Sequence, residues 1–458
     1  MNSAKRACRA ILLAMGIFFA SACVAAEPPR ELSIVMVGDT GFNASMEPVH
    51  PEYGTKLGSR IAFGDAIANI RGLIDGQINF ANLETVVTDR NDLAALPKTF
   101  NFRTHPQAIR QLLGSGINVF SAANNHAMDF GVEGAKETLR HLAGLEAHGL
   151  IAYPGLGFGG VSASTAHVLV WEGDRFRRFD PVSDIAPPLV PPALTLEPAW
   201  LKARRTPDFA VAIGAIGIGG QALPPGEERA GQLSYIDGQD FVDTLDRLRV
   251  ARANFRILSA HYGRENDPLT DQNAVQRFRR AAVLAGGVDL VIGHHQHVVA
   301  GVELVDGKAI FYGLGNFLHF GTRSLSGNGI CRDYGLLAKA HYTIGPDREP
   351  VLQALQAIAL EGTHRQPKPM PPAPGKMRML VLNHLAEQFD RPQERARGVR
   401  FTPQADGSGL FCVRGAAVLG GRIGALCRDY QEPAYPDEKT LAAIRASCRS
   451  QAVAQLEE

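Results

Sequence analysis

The chain has almost no net charge: 47 Lys and Arg stand against 46 Asp and Glu, leaving +1 over 458 residues. No strong field draws it to nucleic acid. No basic stripe with interleaved aromatics takes that role, so nucleic acid is not an expected partner. A phosphate-cradling loop is missing too. Gly214 to Gly220 is glycine-rich, but its spacing fits neither the dinucleotide nor the P-loop pattern, and no Lys-Ser/Thr pair follows. The six cysteines show no CxxC-like spacing and lie away from the histidine-rich run, which argues against a thiolate metal site. Beyond the N-terminus no apolar run is long enough to span a membrane. There is no internal repeat and no heptad pattern.

What is present is globular in composition, with 45% hydrophobic and 20% charged residues and length enough for one large or two ordinary domains. Residues 1–26 read as an export signal: Lys5, Arg6 and Arg9, an apolar stretch from Ile11 to Phe19, and small residues Val24-Ala25-Ala26 before Glu27. Two variants stay open. Ala20-Ser21-Ala22-Cys23 resembles a lipoprotein cleavage box with Cys23 as the lipidated residue, or the segment stays uncleaved as an anchor. The expected location is the periplasm or cell envelope. Cleavage before Glu27 leaves Cys331, Cys412, Cys427 and Cys448, an even set that predicts disulfides in an exported chain. Three pairings are possible and the sequence does not choose among them.

Strand and helix patterns alternate from Glu31 to about Phe320, which predicts an α/β fold. Helices are expected over Pro106–Gly114, Gly134–Gly149, Asp240–Ala253 and Gln272–Gly286. A proline-rich insertion is read at about 184–207. Leu336–Ile344 and Val351–Leu360 read as strands at the sheet edge. A main domain over 31–365 is followed by a proline-dense linker, 366–375. A cysteine-bearing extension, 376–458, comes last, with a helix near Lys376–Phe389, a strand near Leu410–Arg414 and a final helix from about Asp437.

The chemistry gathers at strand ends. Val288 to Gly293 is an apolar strand that runs into His294-His295-Gln296-His297. On an extended segment His295 and His297 point to one side. Other apolar strands end in Gly38-Asp39, Asn82-Leu83-Glu84, Asn124-Asn125-His126 with Asp129 after it, His261 with Glu265 after it, and Gly315-Asn316-Phe317, the last on a strand read as Ala309–Phe317. Ligands of open α/β sheets collect beyond the carboxyl ends of strands. Asp39, Glu84, Asn125, His261, His295 and His297 are therefore candidate ligands for one or two divalent ions, with Glu84 able to bridge. Mixed nitrogen and oxygen donors suit Mn, Fe, Zn, Co or Mg. Asp129 would orient His126 and hold it cationic, as a proton donor to a leaving group. Asn82 and Asn124 could equally serve strand turns. His294 stays open between ligand, neighbour of a ligand and surface.

These motifs, with Phe102-Arg103, His261-Tyr262-Gly263-Arg264-Glu265 and Leu314-Gly315-Asn316-Phe317, resemble the CapA capsule-synthesis family, which includes PgsA-type poly-γ-glutamate synthesis proteins. The resemblance runs over roughly Leu32 to Pro369. It implies a branch of the calcineurin-like metallophosphoesterase fold, a four-layer αββα sandwich with its site at the strand ends. In that fold the first motif pairs Asp with a His two residues on; here the position is Gly41, so one ion lacks an imidazole. Gln296 stands where many relatives have proline. The implied activity is hydrolysis of a phosphoester or a polymer bond by metal-activated water, within capsule or poly-γ-glutamate-type exopolymer production. The alternative is a non-catalytic assembly or binding factor for an anionic envelope polymer. Arg103, Asn124, Arg264, Glu265, His294 and Asn316 are the candidate substrate contacts. Membrane-bound polymer synthase subunits are the candidate partners.

Overall fold

The computed structural model describes residues 30–179, 209–218, 225–226, 229–284 and 287–449. The export signal with Cys23 and the insertion at 184–207 lie outside the described residues, as do Gly219 and Gly220 of the glycine-rich run. Two large sheets carry the fold, one of nine strands and one of eight. In the first, Arg30–Gly41, Ile78–Leu83 and Val119–Ser121 run parallel. In the second, Ala210–Ile216, Phe255–His261, Leu290–His294 and Lys308–Phe311 run parallel. The protein is thus mixed α/β, as the alternation of patterns predicts.

These strands read as apolar runs because both of their faces are buried. Ile34, Met36 and Phe80 of the first sheet share one core with Ile213, Ile257 and Ile292 of the second. The alternate residues Val35, Val37 and Ala81 pack against Ile109 and Leu112 of the helix Pro106–Gly114 and Leu142 of Gly131–Leu145. On the other side Ala212, Leu258 and Val291 meet Leu245 and Leu248 of Gly238–Val250 and Phe278 and Ala282 of Gln272–Val283. Each fully buried large side chain contributes roughly 1.5–3 kcal/mol. Local signals set the helix starts. Pro106 sits at the first position of its helix, and the Asp271 side chain accepts from the Ala274 amide at 3.0 Å.

The structure corrects three readings. The segment taken as one strand, Ala309–Phe317, is two strands in different sheets. Lys308–Phe311 belongs to the second, and Asn316–His319 pairs with Arg30–Gly41 in the first. Gly315, at φ 65°, turns the chain between them. The strands Gly335–Ile344 and Pro350–Glu361 are interior rather than edge, pairing antiparallel beside Arg30–Gly41. Residues after 365 join both sheets: Gly409–Cys412 pairs with Pro350–Glu361, and Ala396–Gly398 with Val302–Val305. Lys368–Pro369, inside the supposed linker, adds a short strand, and the next helix, Pro372–Ala386, starts within it as well. The disulfides are Cys331–Cys448 and Cys412–Cys427. The first ties the end of the helix Glu438–Ser447 to the body of the fold.

His341 is a buried histidine with a structural task. One ring nitrogen lies 2.8 Å from Ser33 Oγ and the other 2.9 Å from Gln356 Oε1. Burial, reinforced by the positive charges of Arg422 and Lys339, pushes it down to about 4. Below the ordinary value of 6.5 the unfolded chain takes up a proton that the folded chain refuses. Stability should therefore fall as pH drops from about 6.5 to about 4, by on the order of 3 kcal/mol from this group. Urea unfolding across that range should show a shallower acid slope in His341→Gln than in the wild type. Parallel slopes would exclude His341 as a source.

Candidate metal centre

Asp39 sits at the end of the central strand of the first sheet, opposite Asn82 on one side and Asn316 on the other. Gly38, just before it, permits a close approach of chains: a Cβ there would lie 1.7 Å from the Gly315 carbonyl oxygen. Asn82 donates to Asp39 Oδ1 at 2.8 Å and lies 3.1 Å from His261 Nδ1, so it orients both. Glu84 follows the strand Ile78–Leu83, and His261 ends Phe255–His261. Asp39, Glu84 and His261 are each 0% exposed.

Glu84 lies between two groups of side chains. Its Oε1 is 3.5 Å from His261 Nε2, which also lies 2.7 Å from Asn125 Oδ1 and 3.2 Å from His295 Nδ1. Its Oε2 is 3.9 Å from His297 Nδ1, which is 3.3 Å from Asp39 Oδ2 and 2.9 Å from Asn316 Oδ1. Glu84, His261 and His295 bring ligand atoms within 4.8 Å of one another, and so do Asp39, Glu84 and His297. Neither Glu84 oxygen nor Asp39 Oδ2 has a hydrogen bond. Burial alone would favour a protonated Glu84, but the imidazoles of His297 and His261 outweigh it and hold the carboxyl well below the usual range. An ionised, dehydrated carboxylate without donors costs several kcal/mol unless a cation faces it. The donors are imidazole nitrogens, carboxylates and an amide oxygen, with no thiolate, a set that fits divalent ions.

The histidine loop converges differently from the expectation. The strand ends at His294, and His295 and His297 take left-handed backbone conformations, φ 97° and 58°. Such residues carry local strain. The two rings consequently face opposite ends of Glu84 instead of sharing one side of an extended segment. Burial pushes His295 down to about 3. His297 goes the other way: burial opposes its charge, yet Glu84 and Asp39 raise it to about 10. His294 lies beneath the site, 3.8 Å from Asp39 Oδ1 and stacked on Phe80 at 5.5 Å. It does not line the cleft described below.

His126 Nε2 is 4.0 Å from Glu84 Oε1, while its Nδ1 is 2.7 Å from Asp129 Oδ2. Asp129 is shared, since it also accepts from Lys98 Nζ and the Phe102 amide, each at 2.5 Å. Burial pushes His126 down more than Asp129 raises it, and Lys98 adds to the fall. The expectation of a resting cation is thereby reversed. Asp129 does fix the ring with Nε2 facing the centre.

A cleft of about 900 Å³ opens over the centre, lined among others by Lys56, Phe102, His126, Glu265, His297 and Asn316. Arg323, Arg332 and Arg449 line it as well, Arg332 buried and donating to the carbonyls of Asn266 and Ser447. Of the expected substrate contacts, Glu265 and Asn316 line this cleft. Arg103 does not: it is buried and donates to the carbonyls of Glu47 and Met46. Arg264 is exposed and faces Asp267 at 3.8 Å, also outside the lining. Asn124 is committed to structure, donating to the Leu83 carbonyl and accepting from the His126 amide. His319 joins the site without belonging to any of the sequence motifs. It is 0% exposed with Nε2 3.4 Å from Glu84 Oε2. Its only signal in the sequence is a polar residue two positions past the apolar run Ala309–Phe317.

Fold and site together define an α/β protein with a buried cluster of imidazoles and carboxylates at the carboxyl ends of its strands. Residues 33–320 match the family described as bacterial capsule synthesis protein PGA_cap, and the chain belongs to that family. The resemblance to CapA proteins read from the motifs is thereby borne out. The PGA biosynthesis protein CapA of Bacillus subtilis (strain 168) is 24% identical over 287 residues, 63% of each chain. The capsule biosynthesis protein CapA of Bacillus anthracis is 22% identical over 294 residues, 63% of this chain and 60% of its own. A probable polyglutamine synthesis accessory protein of Mycobacterium tuberculosis is 25% identical over 283 residues, 60% of this chain and 64% of its own. The matched regions thus span a little under two thirds of these curated relatives.

Ion binding should show in stability. At free Mn²⁺ about 1,000 times its Kd, the linkage gain is about 4 kcal/mol. The chelator-treated wild type should melt markedly higher once Mn²⁺ is added, and Glu84→Gln should lose most of that rise. A rise of equal size in Glu84→Gln would exclude Glu84 as a ligand.

Proposed function

We propose that the chain is an exported, metal-dependent hydrolase of an anionic envelope polymer or phosphoester, acting in capsule or poly-γ-glutamate-type exopolymer production. The observation that carries this reading is Glu84, whose two unpaired buried oxygens each face a separate group of nitrogen and oxygen donors. The names of the relatives support the capsule setting. The two disulfides support an oxidising compartment, the periplasm or cell envelope. No helix of the described residues is long and apolar enough to cross a membrane. Membrane-bound synthase subunits are proposed as partners on the family reading alone. We read the two sheets with helices on their outer faces as a metallophosphoesterase-like four-layer sandwich.

Glu84 with His261, His295 and Asn125 would hold one ion, and Asp39, Glu84 and His297 a second. When bound, such ions supply Lewis-acid activation of water and neutralise charge that develops on the substrate. The protein does the rest. Arg323 and Lys56 line the cleft and add positive charge that suits a polyanion, with the Lys56 ammonium anchored on the Thr322 carbonyl. Phe102 packs against the His126 ring at 4.3 Å and screens it from water. Asp129 accepts from His126 Nδ1, so the neutral ring offers Nε2 as a base: it takes up a proton released by the attacking water and then passes that proton to the leaving oxygen or nitrogen.

His126→Ala should cut turnover of a phosphoester or polymer substrate by about 10²–10⁴-fold while ion content stays at the wild-type level. The measurement pairs a hydrolysis screen with elemental analysis of the same preparations. If the wild type loads ions yet turns over no phosphoester, amide or glycan bond, and polymer output survives His126→Ala, the chain is an assembly factor and the hydrolase reading fails.

A further inference from the structure

Gly41 brings no side chain to the centre, and the structure places an imidazole opposite it. The strand Asn316–His319 runs parallel to Arg30–Gly41, and the residue opposite Gly41 is His319. The ring reaches the same end of Glu84 as His297. His319 Nε2 is 3.4 Å from Glu84 Oε2, and its ring meets that of His297 edge-on with centroids 5.6 Å apart. Phe102 closes the far side at 5.0 Å. The side chain is 0% exposed, and neither ring nitrogen has a hydrogen bond. Burying a polar ring with no partner costs on the order of 1–3 kcal/mol per unsatisfied group, and nothing in the apolar packing requires an imidazole here.

His294 is the other histidine among the described residues with two buried, unbonded ring nitrogens. It lies on the wrong side, near Asp39 Oδ1, the oxygen that Asn82 already occupies. Asp39 Oδ2, the free oxygen, faces His297.

We propose that His319 is a metal ligand, and that Asp39, Glu84, His297 and His319 together hold a divalent transition ion of the Mn, Fe, Zn or Co type. A second imidazole is thus supplied by the strand beside Asp39, at the height of Gly41 in the sheet. This rests on the metal-centre reading above and extends it to a residue outside the histidine loop. Two carboxylates and two imidazoles make a closed donor set for such an ion.

The test uses the full chain, stripped with chelator and reloaded with Co²⁺ or Mn²⁺. Elemental analysis and calorimetry give stoichiometry and affinity, and Co²⁺ visible absorption reports the ligand set. His319→Ala should lose one ion per chain, or bind it at least tenfold more weakly, with an altered Co²⁺ spectrum. His295→Ala should lose the other ion instead. Gly41→His placed in the His319→Ala background should restore the lost ion. A Cβ at Gly41 would make only ordinary contacts, the nearest atoms lying at 3.5 Å. If His319→Ala does not fold, X-ray absorption on the wild type decides, with four imidazoles (His261, His295, His297 and His319) shared by the bound ions rather than three. His319→Ala that matches the wild type in stoichiometry, affinity and spectrum overturns the proposal while leaving the centre intact. A wild type that binds no ion overturns the centre itself, and this assignment with it.

Discussion

Glu84 is a carboxyl group sealed from water with no hydrogen bond to either oxygen, its ionised form favoured by the imidazoles of His297 and His261 against the cost of burial, and the surrounding structure is organised by that constraint. Desolvation on this scale costs several kcal/mol and is tolerated only where opposite charge is close and well aimed. Imidazoles approach from both ends: His261 at Oε1, His297 and His319 at Oε2. A protein needing only stability would be served as well by an apolar side chain here. On the function proposed above, this geometry is a seat for cations.

The fold brings these groups together by drawing on both sheets. Asp39 lies near the end of a strand of the first sheet and Glu84 and Asn125 follow two others, while His261 ends a strand of the second sheet and His295 follows another. The chain then crosses between sheets at Gly315 and returns Asn316 and His319 to the Asp39 side. Left-handed backbone at His295 and His297 turns consecutive imidazoles toward different ends of one carboxylate. Strain of this kind persists where surrounding packing over-determines it. His126 shows the opposing side of burial. The same exclusion of water that would strengthen electrostatics inside the site also disfavours its charged form, against the pull of an Asp129 shared with Lys98.

Much of this was legible in the sequence. Long apolar runs ending in Asp, Glu, Asn or His reported strands buried on both faces. The helix Pro106–Gly114 was read to its bounds because proline and a regular apolar face mark it. What stayed hidden was set by tertiary context. Arg103 and Arg264 carry the right charge for an anion, but nothing local says that one is spent on backbone carbonyls and the other points to solvent. The C-terminal strands are only two to four residues long, too short for a periodic signal, so their place in both sheets could not be foreseen. His319 escaped because the run Ala309–Phe317 looked like one strand. Its division between two sheets is invisible without the partners on either side.

The most direct test of the central claim is a crystal structure of the protein grown with Mn²⁺, with anomalous difference density recorded near the Mn edge. The account predicts two peaks, one on each side of Glu84: the first among His261, His295 and Asn125, the second among Asp39, His297 and His319. No peak beside Glu84, or a water or protonated carboxyl hydrogen-bonded in its place, would contradict it.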